Sequence, residues 1–309
     1  MPVTRRGFTL TELIVSITLA AGSAAFMIGT LTRQERFHSS ASVILDTRAQ
    51  LRDAADVLVT DLRSASVAIF GIPVMTDSAI EVYTTIASSV VCVVQSSQSV
   101  SLPPIVLASG NTLTSMQAQP DTGDLALIYG VGPGPGDSAR WESVRVASYS
   151  ARSLAVSCPV SSGFTTTGDE QSGATGFLLT LAASPQFSIR PGTPLHFVRR
   201  VRYSLYRSSD SKWYLGHRRC NAAGSSQCDG IQPVAGPYEL YGGAGPGLSF
   251  RYYDLDGDTL PAGPMSANVA RIDIVLRGRA GASSRLSGDG RLAHRDSVIV
   301  SVSPRNRLR

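Results

Sequence analysis

Residues 13 to 31 read LIVSITLAAGSAAFMIGTL, nineteen positions without a charged side chain. At ~1.5 Å of rise per residue, a helix of that length covers most of the ~30 Å hydrocarbon layer of a bilayer. Arg5 and Arg6 stand just before the run, with no acid among the first seven residues. Basic residues in that position stay on the cytoplasmic side, which places everything after Leu31 across the membrane. No later stretch repeats such a run. The expectation is one membrane-crossing helix followed by a large domain outside the cytoplasm.

That domain has the material for a core. The chain of 309 residues is 43% hydrophobic and only 17% charged, which excludes a disordered tail or a basic protein that coats nucleic acid. A net charge of +5 neither demands nor excludes an anionic partner.

Glu12 is the discordant residue, a carboxylate at the start of the apolar run, where burial in lipid costs about 3 kcal/mol on insertion scales. A cleavable export signal accounts for TRRGFTL and for small residues at AAGSAA, and a plain anchor accounts for the run. Neither accounts for the carboxylate. The segment RRGFTLTELIVSITL as a whole resembles the prepilin signal of the type IV pilin and type II secretion pseudopilin families. The resemblance implies that a dedicated peptidase cuts after Gly7 and methylates Phe8 as the new N-terminus, leaving the apolar segment in place. Glu12 then becomes the fifth mature residue, and its implied partner is the α-amino group of Phe8 on a neighbouring subunit. A buried carboxylate is tolerable when a cation pairs with it. Loss of seven residues leaves 302 and, with Arg5 and Arg6 gone, lowers the charge from +5 to +3.

Beyond the apolar run, residues 33 to 66 contain no Pro or Gly and keep a helical period. Ile44, Leu51, Ala55, Leu58, Leu62 and Ala65 form an apolar stripe, while Arg48, Arg52, Asp53, Asp56, Asp61 and Arg63 lie mostly off it. The helix is expected to run from Phe8 to about Ser66, with Gly22 and Gly29 as weak points. From Ile80 on, short alternating or apolar runs are divided by Gly, Pro, Ser and Asp, which reads as antiparallel strands. These begin at Ile80, Ser89, Asp124, Ser143, Phe177, Phe197, Lys212, Leu248, Val269 and Asp296. The segments at 197 and 212 make a hairpin across Ser208 to Ser211. Residues 130–137, 161–176 and 242–247 read as loops. The fold class is therefore α+β: a leader at 1–7, a membrane and assembly half-helix at 8–31, an amphipathic half at 32–68 and a β-rich head at 69–309.

LSFRYYDLDGD followed by VARIDIVLRG is also similar to the larger minor members of the family, of the minor pilin W or pseudopilin J kind. That resemblance implies a structural subunit at the tip of a pilus or pseudopilus, or a primer of its assembly. Its implied partners are other pilins, the prepilin peptidase and the inner membrane. The alternative from another class is an anchored or exported extracytoplasmic enzyme or ligand-binding domain.

Cys92, Cys158, Cys220 and Cys228 all lie beyond the apolar run, in a compartment that permits disulfides. The short polar loop between Cys220 and Cys228 favours a local bridge, leaving Cys92 for Cys158. Zinc is disfavoured because no paired CxxC spacing is present. Asp254, Asp256 and Asp258 invite a calcium reading, but Gly257 falls at the fourth position and Met265 stands where a loop glutamate is needed. A solvated turn is the better account. Arg200 and Arg202 share a strand face near Tyr203, Tyr206, Trp213 and Tyr214, which makes them weak nucleic-acid candidates beside the simpler reading of a solvated sheet. No GxSxG, HExxH, P-loop or GxGxxG motif occurs, and His38, His196, His217 and His294 fall at no recognisable metal or triad spacing. No enzyme and no cofactor is expected.

Overall fold

The computed structural model describes residues 9–132, 134, 137–221, 227–240, 245–263, 268–284 and 292–305. A single helix, α1, runs from Leu10 to Arg63 without a break, so it is on the order of 80 Å long. Gly22 and Gly29 lie within it, with open space where a side chain would be. It ends three residues before Ser66. Ala65 then bridges to Thr84, and one further helical turn, α2, spans Val67–Phe70.

The strands are β1 Val74–Met75, β2 Ala79–Val90, β3 Val93–Ser96, β4 Ser99–Leu102 and β5 Ser115–Met116. Next come β6 Leu125–Val131, β7 Ala139–Ser153, β8 Thr175–Leu181, β9 Pro194–Arg207 and β10 Trp213–Cys220. The last five are β11 Gln232–Tyr238, β12 Leu248–Tyr253, β13 Thr259–Leu260, β14 Arg271–Ser284 and β15 Leu292–Val302. All of their pairings are antiparallel, and the main path is β13-β12-β14-β11-β10-β9-β6-β7-β8-β4-β3. The protein is an α+β structure, a long N-terminal helix packed on a large antiparallel sheet.

β9 is the centre of the sheet. It pairs with β10 through residues 200–207, with β6 through 195–198, and with β2 along 194–204. The β9–β10 hairpin closes with the Ser208 amide donating to the Lys212 carbonyl, and Ser211 takes a left-handed φ of 65° in the turn. β7 is long enough to serve two neighbours: residues 139–145 pair with β6, and the stretch from Val146 pairs with β8.

Two cores result. In the first, Leu51, Ala54, Ala55, Leu58 and Leu62 of α1 meet Val201 and Tyr203 of β9, Leu215 of β10, Phe250 and Tyr252 of β12, and Ile272, Ile274 and Leu276 of β14. The expected stripe is largely this contact, with Ala54 added and Ile44 only half-buried. Gly278 permits the close approach, because a Cβ there would stand 2.9 Å from Thr47 Cγ2 and 3.2 Å from Leu51 Cδ1. Hydroxyl groups also tie sheet to helix: Tyr238 donates to the Gln50 carbonyl at 3.3 Å, and Tyr203 donates to Asp61 at 2.5 Å. The second core lies away from the helix, where Ile128, Leu179, Leu181, Leu195 and Phe197 pack with Val100 and Leu102.

Several sequence expectations fail locally: residues 130–131 belong to β6 rather than to a loop, and β11 has no counterpart among the expected strands. The run from Ser89 is not one strand: β2 continues to Val90, and the chain breaks at Val91 and Cys92 before β3. Residues 161–176 are not wholly irregular, since Thr167–Gln171 form a short helix whose Thr166 and Asp169 make a capping box.

Candidate membrane segment and the polar clusters of the head

The apolar half of α1 stands clear of the head. Every residue from Leu10 to Ser39 is exposed, and Leu10, Phe26 and Met27 show 75%, 73% and 63% of their surface. Exposure of contiguous apolar side chains on this scale marks a surface that another apolar phase must cover. Among the described residues this is the one helix long and apolar enough to cross a membrane. Its few hydroxyls are turned inward: Ser16 donates to the Glu12 carbonyl at 2.8 Å, Ser23 to Leu19 at 2.8 Å and Thr30 to Met27 at 2.8 Å. Back-bonding of this kind satisfies the polar atoms without a partner from outside the helix.

Gly7 and Phe8 lie outside the described residues. Glu12 is exposed, and its carboxylate serves the helix start: Oε2 accepts from the Thr9 amide at 3.1 Å and from the Thr9 hydroxyl at 3.0 Å. The Glu12 amide in turn donates to Thr9 Oγ1. This is a capping box, Thr at the cap and Glu three residues on. Its signal is in the residues themselves, T-x-x-E at the head of an apolar run.

The head contains two disulfides. Cys92 bonds Cys158 with Cα atoms 5.4 Å apart, and Cys220 bonds Cys228 with Cα atoms 3.9 Å apart. The first is buried beside Leu154 in a small cluster of its own.

Arg200 does not lie on a solvated face, and it does not present a basic patch. Its guanidinium is ion-paired with Glu81, a carboxylate only 2% exposed. Arg199 holds Asp124 through two bonds, Nε to Oδ1 at 3.0 Å and Nη2 to Oδ2 at 2.7 Å, and Arg219 adds a third at 3.2 Å. Arg219 also bonds Asp121 at 3.0 Å and holds its carboxyl below the usual range. Three of the six arginines on this hairpin thus neutralise acids of β2 and of the turn before β6. Tyr203, a neighbour of Arg200 and Arg202 in sequence, points to the opposite face and is buried under α1. The pattern of alternate arginines and aromatics is therefore split between two environments. Arg202 remains on the outer face, partly exposed.

The calcium reading finds no ligand geometry. Oδ1 of Asp254 accepts the amides of Asp256 at 3.0 Å and Asp258 at 2.8 Å, and Gly257 takes φ 89° in the turn. Asp254 thus shapes the β12–β13 turn. Among the described residues, the potential metal donors that converge are Glu81, Cys220 and Cys228. Both sulfurs there are consumed by the disulfide and the carboxylate by Arg200, so this set does not fit a resident metal. His217 lies against Tyr203 with ring centres 5.2 Å apart, and His196 against Trp141 at 4.8 Å. Burial pushes both imidazoles below their ordinary range.

No protein-family model matches this chain, and neither a curated protein nor a solved structure is significantly similar to it.

Proposed function

We propose that the chain is a minor pilin or pseudopilin, a structural subunit made as a single-pass precursor in the bacterial inner membrane with its head outside the cytoplasm. The observation that carries the reading is the junction RRGFTLTE at the head of a helix whose first thirty residues, Leu10 to Ser39, are all exposed. This half of the helix does not serve the stability of its own head, unlike the half from Leu51 to Leu62. It serves whatever apolar surroundings it enters, first a bilayer and then the helices of neighbouring subunits.

In this reading the prepilin peptidase cuts between Gly7 and Phe8, and the ammonium of Phe8 from one subunit meets Glu12 of another. Apolar packing supplies adhesion between helices, and the single carboxylate sets their axial register, because a slip strands it in hydrocarbon. The size of the head suits a rare position at the tip or in a priming complex. Two disulfides staple that head for an oxidising compartment.

Mass spectrometry of the membrane-extracted protein tests the reading. The expected N-terminal peptide begins at methylated Phe8, and Gly7→Val leaves the precursor uncut. A mature chain beginning near Ala25 instead assigns the segment to an ordinary export signal and removes the pilin reading.

A further inference from the structure

At the end of α1 remote from its apolar half, a cleft of about 530 Å3 opens between the helix end, α2 and the sheet. That volume is in the range of small-ligand sites. Trp141 of β7, Leu127 of β6 and His196 of β9 line it, on the sheet face that also carries the small cluster around Val198. Trp141 is half-exposed, tilted 38° against the His196 ring on one side and 53° against Tyr129 on the other. Nδ1 of His196 is shielded from water and has no hydrogen-bond partner among the described residues. That nitrogen is therefore not open to the cleft, and burial favours the neutral form of the imidazole.

The lining also has a polar part. Arg63 and Arg305 belong to it, joined by a 3.1 Å bond from the Arg305 amide to the Arg63 carbonyl, and both residues are exposed. Among the described residues no carboxylate lines the cleft, in contrast to the surroundings of Arg199, Arg200 and Arg219, which are all spent on buried acids. The hydroxyls of Ser64 and Thr85 donate to backbone carbonyls, at 3.0 Å to Asp61 and 3.2 Å to Ser64. Each therefore keeps lone pairs for an incoming hydroxyl.

We propose that this cleft binds an acidic saccharide, a sugar ring bearing a carboxylate. The apolar face of the ring lies on Trp141, its hydroxyls meet the Ser64 and Thr85 oxygens, and its carboxylate meets Arg63 and Arg305. A guanidinium fork matches a carboxylate in shape as well as charge. A single-stranded nucleic acid fits less well. It needs a continuous cationic track with rings stacked in sequence, whereas two cations line this cleft and the rings are mutually tilted. The site lies on the order of 80 Å along α1 from Leu10, far from the segment that enters the membrane, and its use is independent of assembly.

Titration of the full-length protein in detergent micelles with a galacturonate trisaccharide, a neutral galactose trisaccharide and a short oligothymidine tests the proposal. The acidic sugar should bind at least about tenfold more tightly than the neutral one, the scale of one charge-assisted contact. Trp141→Ala should weaken both sugars by about tenfold or more. The double substitution Arg63→Gln with Arg305→Gln should erase most of the preference for the acid while leaving neutral-sugar binding and the melting temperature in place. Because those two side chains are exposed, this pair keeps the test valid even where Trp141→Ala unfolds the head. Equal binding of the two sugars overturns the proposal, as does no binding of either at millimolar concentration. Tighter, Trp141-dependent binding of oligothymidine assigns the cleft to nucleic acid instead.

Discussion

The hydroxyl of Tyr203 donates a 2.5 Å hydrogen bond to Oδ2 of Asp61, joining the central strand of the sheet to the last turns of α1. Tyr203 is 1% exposed and Asp61 half-buried. Burial pushes the Asp61 carboxyl above its ordinary range, against the opposing pull of the Tyr203 bond and of nearby His217. Tyr203→Phe strands that carboxylate and should cost about 1–3 kcal/mol of unfolding free energy, with Asp61→Asn costing less because the amide oxygen still accepts. The sign with pH follows from the raised value. The folded state holds the proton more tightly than the unfolded chain, so the contribution of Asp61 is fully present below its ordinary value near 3.8 and is lost as pH rises through the folded one. Denaturant titrations from pH 4 to pH 7 should therefore show Asp61→Asn improving relative to the parent as pH rises. A constant difference refutes the assignment.

Arg200→Gln should behave as a core substitution. Glu81 is left buried without its cation, for which a loss of about 3–5 kcal/mol is expected, and Glu81→Gln in the same chain should recover part of it. The measurement is a double-mutant cycle on thermal or denaturant unfolding. An Arg200→Gln protein of parental stability is incompatible with the pairing described above.

Glu12→Val and Thr9→Ala separate two roles of one carboxylate. Both break the capping box, at a cost of about 1 kcal/mol confined to an exposed helix end, and neither should change the melting of the head. If the carboxylate pairs with the Phe8 ammonium of a neighbour, Thr9→Ala still enters filaments and Glu12→Val does not. Quantifying both variants in sheared filament fractions decides the matter, and equal incorporation reduces Glu12 to a cap.

The two disulfides should differ in weight. Cys92 and Cys158 are 66 positions apart and Cys220 and Cys228 only 8. The chain-entropy model therefore assigns about 4 kcal/mol to the first and about 2.5 kcal/mol to the second. Cys92→Ser with Cys158→Ser should lower the melting temperature more than the corresponding pair at 220 and 228. Peptide mapping without reductant should recover both bridges. Alkylation of all four thiols in the native protein excludes them.

What the residues reveal depends on how far apart the partners are. The apolar run, the stripe from Leu51 to Leu62 and the alternation in β9 carry their own periodicity and are legible in windows of about ten residues. Cys92 misleads at that range: its neighbours Val90, Val91, Val93 and Val94 continue an apolar pattern, whereas the strand breaks at Val91 and Cys92, and the partner of Cys92 is 66 residues away at Cys158. The arginines of β9 and β10 mislead more. Glu81 lies 119 positions from Arg200, and Asp124 lies 75 from Arg199. Only the register of β2 and β6 against β9 turns an exposed-looking basic strand into a set of buried ion pairs. Asp61 falls off the apolar stripe and is still drawn inward, because a tyrosine on the facing strand supplies the bond that makes its burial tolerable.

The division of α1 into a free half and a packed half also has a mechanical meaning. In the isolated subunit, outside a bilayer or filament, tension applied along the axis from the N-terminus meets the hydrogen bonds of the exposed residues 10–39 one turn at a time, with no sheet beside them to share the load. In the packed half the same pull acts in shear across the Leu51–Leu62 contact with the sheet and must displace many side chains together. The exposed turns are thus expected to yield first, each residue lengthening from about 1.5 to about 3.4 Å. Roughly 55 Å of slack pays out before the head feels the strain, and the helix acts as an extensible tether whose give is set by where its side chains cease to touch the sheet.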